Sequence, residues 1–148
     1  MRAKLLALVA VVSLAFALVV VVASARTTAN GLPAYTEGWQ KWPRINRKPF
    51  RSTGPLSSAH TGLKNVYASK QKSGSKYPNG TVIVKTIVKP GTRYVGQFAV
   101  MRKMKGTWRF IEYERSSARA RYTVLAQGQL CTSCHMAARA NDYVFTKK

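Results

Sequence analysis

Thr81-Val82-Ile83-Val84-Lys85-Thr86-Ile87-Val88 is the run that decides the fold. Its β-branched residues restrict χ1 and favour an extended chain that packs on a pleated surface. The run opens after the turn signal Pro78-Asn79-Gly80 and stops at Pro90-Gly91, so it reads as a strand. Outward from it, Tyr94 to Lys103 alternates in its second half, and Trp108 to Glu114 alternates with Trp108 and Phe110 on one side. The short link Lys105-Gly106-Thr107 makes these two an antiparallel hairpin. Leu63 to Ala68 is a further short strand, and Gln71 to Gly80 is a polar connection. Before these strands, Arg26 to Pro33 reads as a tether. Tyr35 to Ile45 reads as a short helix with Thr36 as N-cap, Trp39 and Trp42 on one face and Pro43 limiting its length. Lys48 to Gly62 is loop, and the Ala- and Arg-rich Ser116 to Gln129 is expected to be partly helical. No internal repeat is present. The expected class is α+β, a mainly antiparallel sheet with a few helices.

The first 25 residues stand apart. Arg2 and Lys4 precede an apolar run of 18 residues ending at Val22, and Ala23-Ser24-Ala25 supplies a small-x-small cleavage pattern. This reads as a secretory signal peptide, cleaved or retained as an N-terminal anchor, with periplasmic export of the rest in either case. Residues 26–62 form an N-terminal helix and loop region that completes a single domain with the β-rich residues 63–148. Lys and Arg number 25 against 4 Asp and Glu, a formal charge of +21. On an exported protein that charge points to anionic lipid, an acidic redox partner or the cell envelope, or to a solvated basic surface, and not to nucleic acid. Membrane contact is expected only if the N-terminal segment is retained. Two cysteines exclude a multi-disulfide scaffold, and the scattered Glu37, Glu112, Glu114 and Asp142 argue against a paired-carboxylate hydrolase.

Cys131-Thr132-Ser133-Cys134-His135 carries the chemistry. In an exported protein, C-x-x-C followed directly by His is the attachment signal for c-type haem. Two thiols three apart on a helical turn can each form a thioether with one haem vinyl group, and the adjacent imidazole lies under the iron. A thioredoxin-type motif would follow a strand in a βαβ unit, a context missing here. Zinc would need two further ligands where only His60 offers nitrogen or sulfur of the usual kind, and a plain disulfide would leave His135 unexplained. Small electron-transfer cytochromes carry the motif early and use a distant Met as sixth ligand. Here Met136 adjoins His135 and cannot reach the opposite haem face, while Met101 and Met104 on the hairpin read as core packing. An open iron position, suited to small ligands, is therefore expected.

Asn79-Gly80-Thr81-Val82-Ile83-Val84-Lys85, Val100-Met101-Arg102-Lys103, Gly106-Thr107-Trp108-Arg109-Phe110, the haem motif and Asp142-Tyr143-Val144-Phe145-Thr146 together resemble the cytochrome P460 and cytochrome c′-beta family. The likeness runs from about Val66 to Thr146, in order and at plausible spacings. It implies a homodimer of mainly antiparallel β fold with one five-coordinate c-type haem per subunit. It also implies two branches: P460 proteins oxidise hydroxylamine, and c′-beta proteins bind nitric oxide and similar small ligands. In the P460 branch the lysine ending the G-T-V-x-V-K strand is joined to the haem edge, and Lys85 matches it.

The residues give Lys85 a second reason for notice. Strand alternation puts it on one face with Ile83 and Ile87, while Val82, Val84 and Val88 occupy the other. A lysine in such a strand either snorkels to solvent or is buried with a depressed pKa and a nucleophilic amine. Glu112 and Glu114 are the candidates for a distal acid that would take protons from hydroxylamine, or are solvated partners of Lys and Arg. His60 is a surface histidine or approaches the haem; Lys64 and Arg102 are candidate propionate partners, and Tyr143 and Phe145 are expected to pin the chain end beneath the haem. The expected site comprises Cys131, Cys134 and His135 on one covalently bound haem, with His135 the proximal iron ligand and Lys85 facing the haem. Three functions compete: hydroxylamine oxidation, binding of nitric oxide or another small gas, and electron transfer with Met101, Met104 or His60 on the iron.

Overall fold

The computed structural model describes residues 26–53 and 60–146; residues 1–25, expected to be a signal peptide, lie outside the described residues. Five strands, β1 (Leu63–Ala68), β2 (Val82–Val88), β3 (Val95–Met104), β4 (Thr107–Glu114) and β5 (Thr123–Gln127), form one sheet in the order β1-β2-β3-β4-β5. Every neighbouring pair is antiparallel, so the sheet is a meander. The β3–β4 turn needs only Lys105 and Gly106, both at positive φ (50° and 78°), the backbone twist that suits a two-residue hairpin. Among the described residues no helix is long and apolar enough to cross a membrane.

The two faces of the sheet bury different sets. Val82, Val84, Phe98, Val100 and Tyr113 pack with Leu32 and Tyr122 under the N-terminal segment, where Trp39 meets Tyr67 and Phe98 edge-on at 5.1 and 5.3 Å. The other face carries Val66, Ala68, Ile83, Met101, Trp108 and Phe110, packed with Tyr77 and Val144. Strand β2 is therefore buried on both sides, as its run of β-branched residues predicts.

Three expectations fail. Arg26 to Pro33 is no free tether: Thr27 bridges to Pro33 and Leu32 is buried in the core. The helix expected over Tyr35 to Ile45 is two separate 3₁₀ turns, Ala34–Thr36 and Trp39–Lys41, broken by Gly38 at φ 74°. Thr36 caps nothing; its hydroxyl donates to the Pro33 carbonyl at 2.7 Å. The stretch expected to be partly helical instead ends in β5, because Thr123 and Val124 favour an extended chain and its backbone pairs with the otherwise open edge of β4.

Gly62 marks where the loop before β1 presses on the sheet. At φ 139° a Cβ would lie 2.3 Å from the Val88 carbonyl oxygen. Gly62→Ala is expected to destabilise the fold by about 2 kcal/mol or more through strain and backbone displacement, read as a lower urea midpoint at unchanged m-value.

Candidate haem site

The antiparallel register lines up one row of side chains across the sheet. Val66 pairs with Lys85, Lys85 with Ala99, Ala99 with Glu112, and Glu112 with Ala126. Directly paired residues share a face, so the row looks to one side, and all five line a cavity of about 870 Å³. The opposite wall comes from helix α1 (Gln129–His135) and from the residues beyond the 3₁₀ segment Met136–Asn141 that follows it, which contribute Cys131, Cys134, His135, Val144 and Phe145.

His135 is buried, with its ring centroid 4.5 Å from that of Phe110 and 5.2 Å from that of Phe145. Its Nδ1 lies 2.7 Å from the Tyr143 carbonyl oxygen. A carbonyl only accepts, so Nδ1 carries the proton and Nε2 keeps its lone pair. Burial lowers the imidazole pKa to about 4, against the opposing pull of that hydrogen bond and with Lys85 adding to the depression, so the ring is neutral at neutral pH. Cys131 and Cys134 are both free thiols on the cavity wall, and burial, with Glu112 second, raises the Cys131 pKa. Two thiols and a neutral imidazole facing one cavity, itself of cofactor size, fit a haem.

Lys85 does not snorkel. It is 8% exposed, its Nζ lies 5.8 Å from the Phe145 ring centroid, and burial, reinforced by Lys64, lowers its pKa to about 8. His60 is no surface residue: its Nδ1 meets Glu112 Oε1 at 2.8 Å, and both side chains are more than four-fifths buried at the cavity wall. Glu114 sits one row farther along, outside the cavity lining, paired with Lys89 at 3.3 Å. Arg102 is not a propionate partner: alternation sends it to the opposite face, where its guanidinium stacks 4.5 Å from the Tyr35 ring centroid. Lys64 is buried on the cavity face of β1 and donates to Ser52 Oγ at 2.7 Å. Met101 lines the cavity, whereas Met104 and Met136 are exposed. Tyr143 and Phe145 do pin the chain end, one through its carbonyl and one through its ring.

Sequence reasoning missed Asp142. Its buried carboxylate accepts from Lys103 Nζ at 2.7 and 3.0 Å, from the Tyr77 N–H at 2.7 Å and from Trp108 Nε1 at 3.2 Å. Burial alone would raise its pKa, but these donors outweigh burial and hold it below the usual carboxylate value. The pairing of Lys85 with Glu112 through Ala99 had a readable signal. Counting outward from the Lys105-Gly106 turn sets Ala99 opposite Glu112.

Because Lys85 is protonated in the unfolded chain up to 10.5 but in the fold only up to about 8, its charge costs stability below pH 8. Removing that charge with Lys85→Met is expected to stabilise the haem-free chain at pH 7 by up to about 3 kcal/mol, a gap that closes as pH rises from 8 to 10.5, in paired urea melts.

A search of the curated proteins finds no match. The profile described as cytochrome P460 matches residues 36–146, which include the whole sheet, Lys85, Glu112 and the Cys131–His135 motif. With three-quarters of its length covered, and with a cavity whose donors suit haem, the chain belongs to the cytochrome P460 family and is a haem cytochrome of that type.

Proposed function

We propose that the protein is an exported, monohaem c-type cytochrome that oxidises hydroxylamine, with Cys131 and Cys134 as thioether anchors and His135 Nε2 as the proximal iron donor. Bound in the cavity, the haem would supply an open iron position for the nitrogen ligand and a route for electrons to an external redox partner. The observation that carries the reading is the His60–Glu112 pair in the cavity shared with Lys85 and His135. Oxidation of hydroxylamine releases protons, and an acceptor is useful only where the substrate sits. Glu112 takes a proton from the substrate N–H or O–H, and His60 holds the carboxylate in place through Nδ1. Val66, Ile83 and Met101 give the same cavity an apolar lining. Lys85, half deprotonated near pH 8, offers a nucleophilic amine in the same cavity; the bond to the haem edge that the family likeness suggests would replace one amine N–H and one haem C–H with an N–C bond, the two electrons and two protons passing to an added oxidant such as a peroxide. A periplasmic location and a homodimer belong to the same proposal, on the leader-like N-terminus and the family likeness.

A second reading, capture of nitric oxide without turnover, is favoured by the aliphatic wall of Val66, Ile83, Ala99 and Met101. Three measurements on protein from cells able to mature c-type cytochromes separate the readings. Haem mass retained on the Cys131–Cys134 peptide after denaturation tests attachment, and haem mass on the Lys85 peptide tests the cross-link. Hydroxylamine-dependent reduction of an artificial electron acceptor tests the enzyme. Glu112→Gln is expected to lower that turnover roughly 10²- to 10⁴-fold, with His60→Ala in the same direction. Wild-type protein that binds nitric oxide and shows no turnover favours the gas-binding reading instead.

A further inference from the structure

We propose that Asp142 is a positioning residue for the proximal imidazole, acting through the Tyr143 carbonyl; this rests on His135 being the iron ligand. The link is short and buried. His135 Nδ1–H donates to the Tyr143 carbonyl, and the direction of that carbonyl depends on two successive residues in the left-handed region, Asp142 at φ 54° and Tyr143 at φ 65°. Neither is glycine, and for an aromatic residue this conformation persists only when its surroundings enforce it. What enforces it is the Asp142 carboxylate, tied to three donors outside the corner: the Tyr77 N–H, Lys103 at the end of β3 and Trp108 at the start of β4. The Tyr143 N–H, bonded to the Ala138 carbonyl at 2.9 Å, closes the turn from inside. The sheet thus holds the carboxylate, the carboxylate holds the corner, and the corner aims the acceptor that fixes the ring. A metal-bound imidazole whose second nitrogen donates to a well-placed acceptor is oriented and made a stronger donor by it.

The expected consequence is spectroscopic. In the haem-loaded protein, Asp142→Gly with Lys103→Met frees the corner without stranding a buried ammonium, since glycine accepts the left-handed backbone and methionine fills the lysine stem. The iron–histidine stretching band of the ferrous protein is expected to move to lower wavenumber and broaden, and the midpoint potential to rise. Trp108→Phe, which removes one donor, is expected to shift both in the same direction by less. Phe98→Ala, on the opposite face, serves as the control: it is expected to lower thermal stability and leave the band in place. Unchanged band and potential in the haem-loaded double variant overturn the proposal; if that variant does not fold, an unchanged Trp108→Phe does so. Wild-type protein that lacks haem, or whose band survives His135→Ala, instead overturns the assignment of the proximal ligand.

Discussion

The register of the antiparallel ladder is the constraint on which the site depends. Side chains alternate with a period of two, so a slip of one residue in β2 or in β4 would send Lys85 or Glu112 to the opposite face and part the two. Held in register, they face the same cavity two strands apart, about 10 Å at ordinary strand spacing, with Ala99 between them. A larger residue at Ala99 would fill the space between cation and acid. The ladder is pinned by the packing of both its faces, which makes the spacing of these two groups a property of the whole sheet.

The far wall is built differently. It consists of a helix of less than two turns and a closing segment, neither of which is stable in isolation. Its rigidity comes from side chains: Phe110 and Phe145 enclose the His135 ring, and the Lys103–Asp142 pair fastens the segment to β3. A buried ion pair of this kind adds little net stability, but loss of one partner leaves an uncompensated charge and is severe. The pair therefore specifies position more than it adds strength.

What the sequence revealed divides along the same line. The β2 run, the β3–β4 hairpin and the Cys131–His135 motif are legible because each signal lies within a few residues. Strand β5 was not: Thr123 and Val124 favour an extended chain, but the five residues are mostly exposed, show no alternating buried face and follow an Ala- and Arg-rich run, so only pairing with the edge of β4 defines the strand. The His60–Glu112 contact spans 52 positions and the Asp142 contacts span 34, 39 and 65, distances over which no pattern in the chain indicates pairing. Lys85 lay between these cases: its oddness could be read locally, and its burial required the neighbouring strands. Arg102 shows the converse, a cation close to the site in sequence and sent away from it by parity alone.

The meander order also bears on how the molecule assembles. Each strand pairs with its neighbour in sequence, so every pairing is local, and closing even the longest connection, between β1 and β2, costs little more entropy than closing the others. Such a topology favours formation of the cavity floor before the C-terminal segment docks. The two thiols sit on helix α1, outside the sheet, so the floor of the cavity can form without the segment that carries them, and the Asp142–Tyr143 corner is what fastens that segment to it.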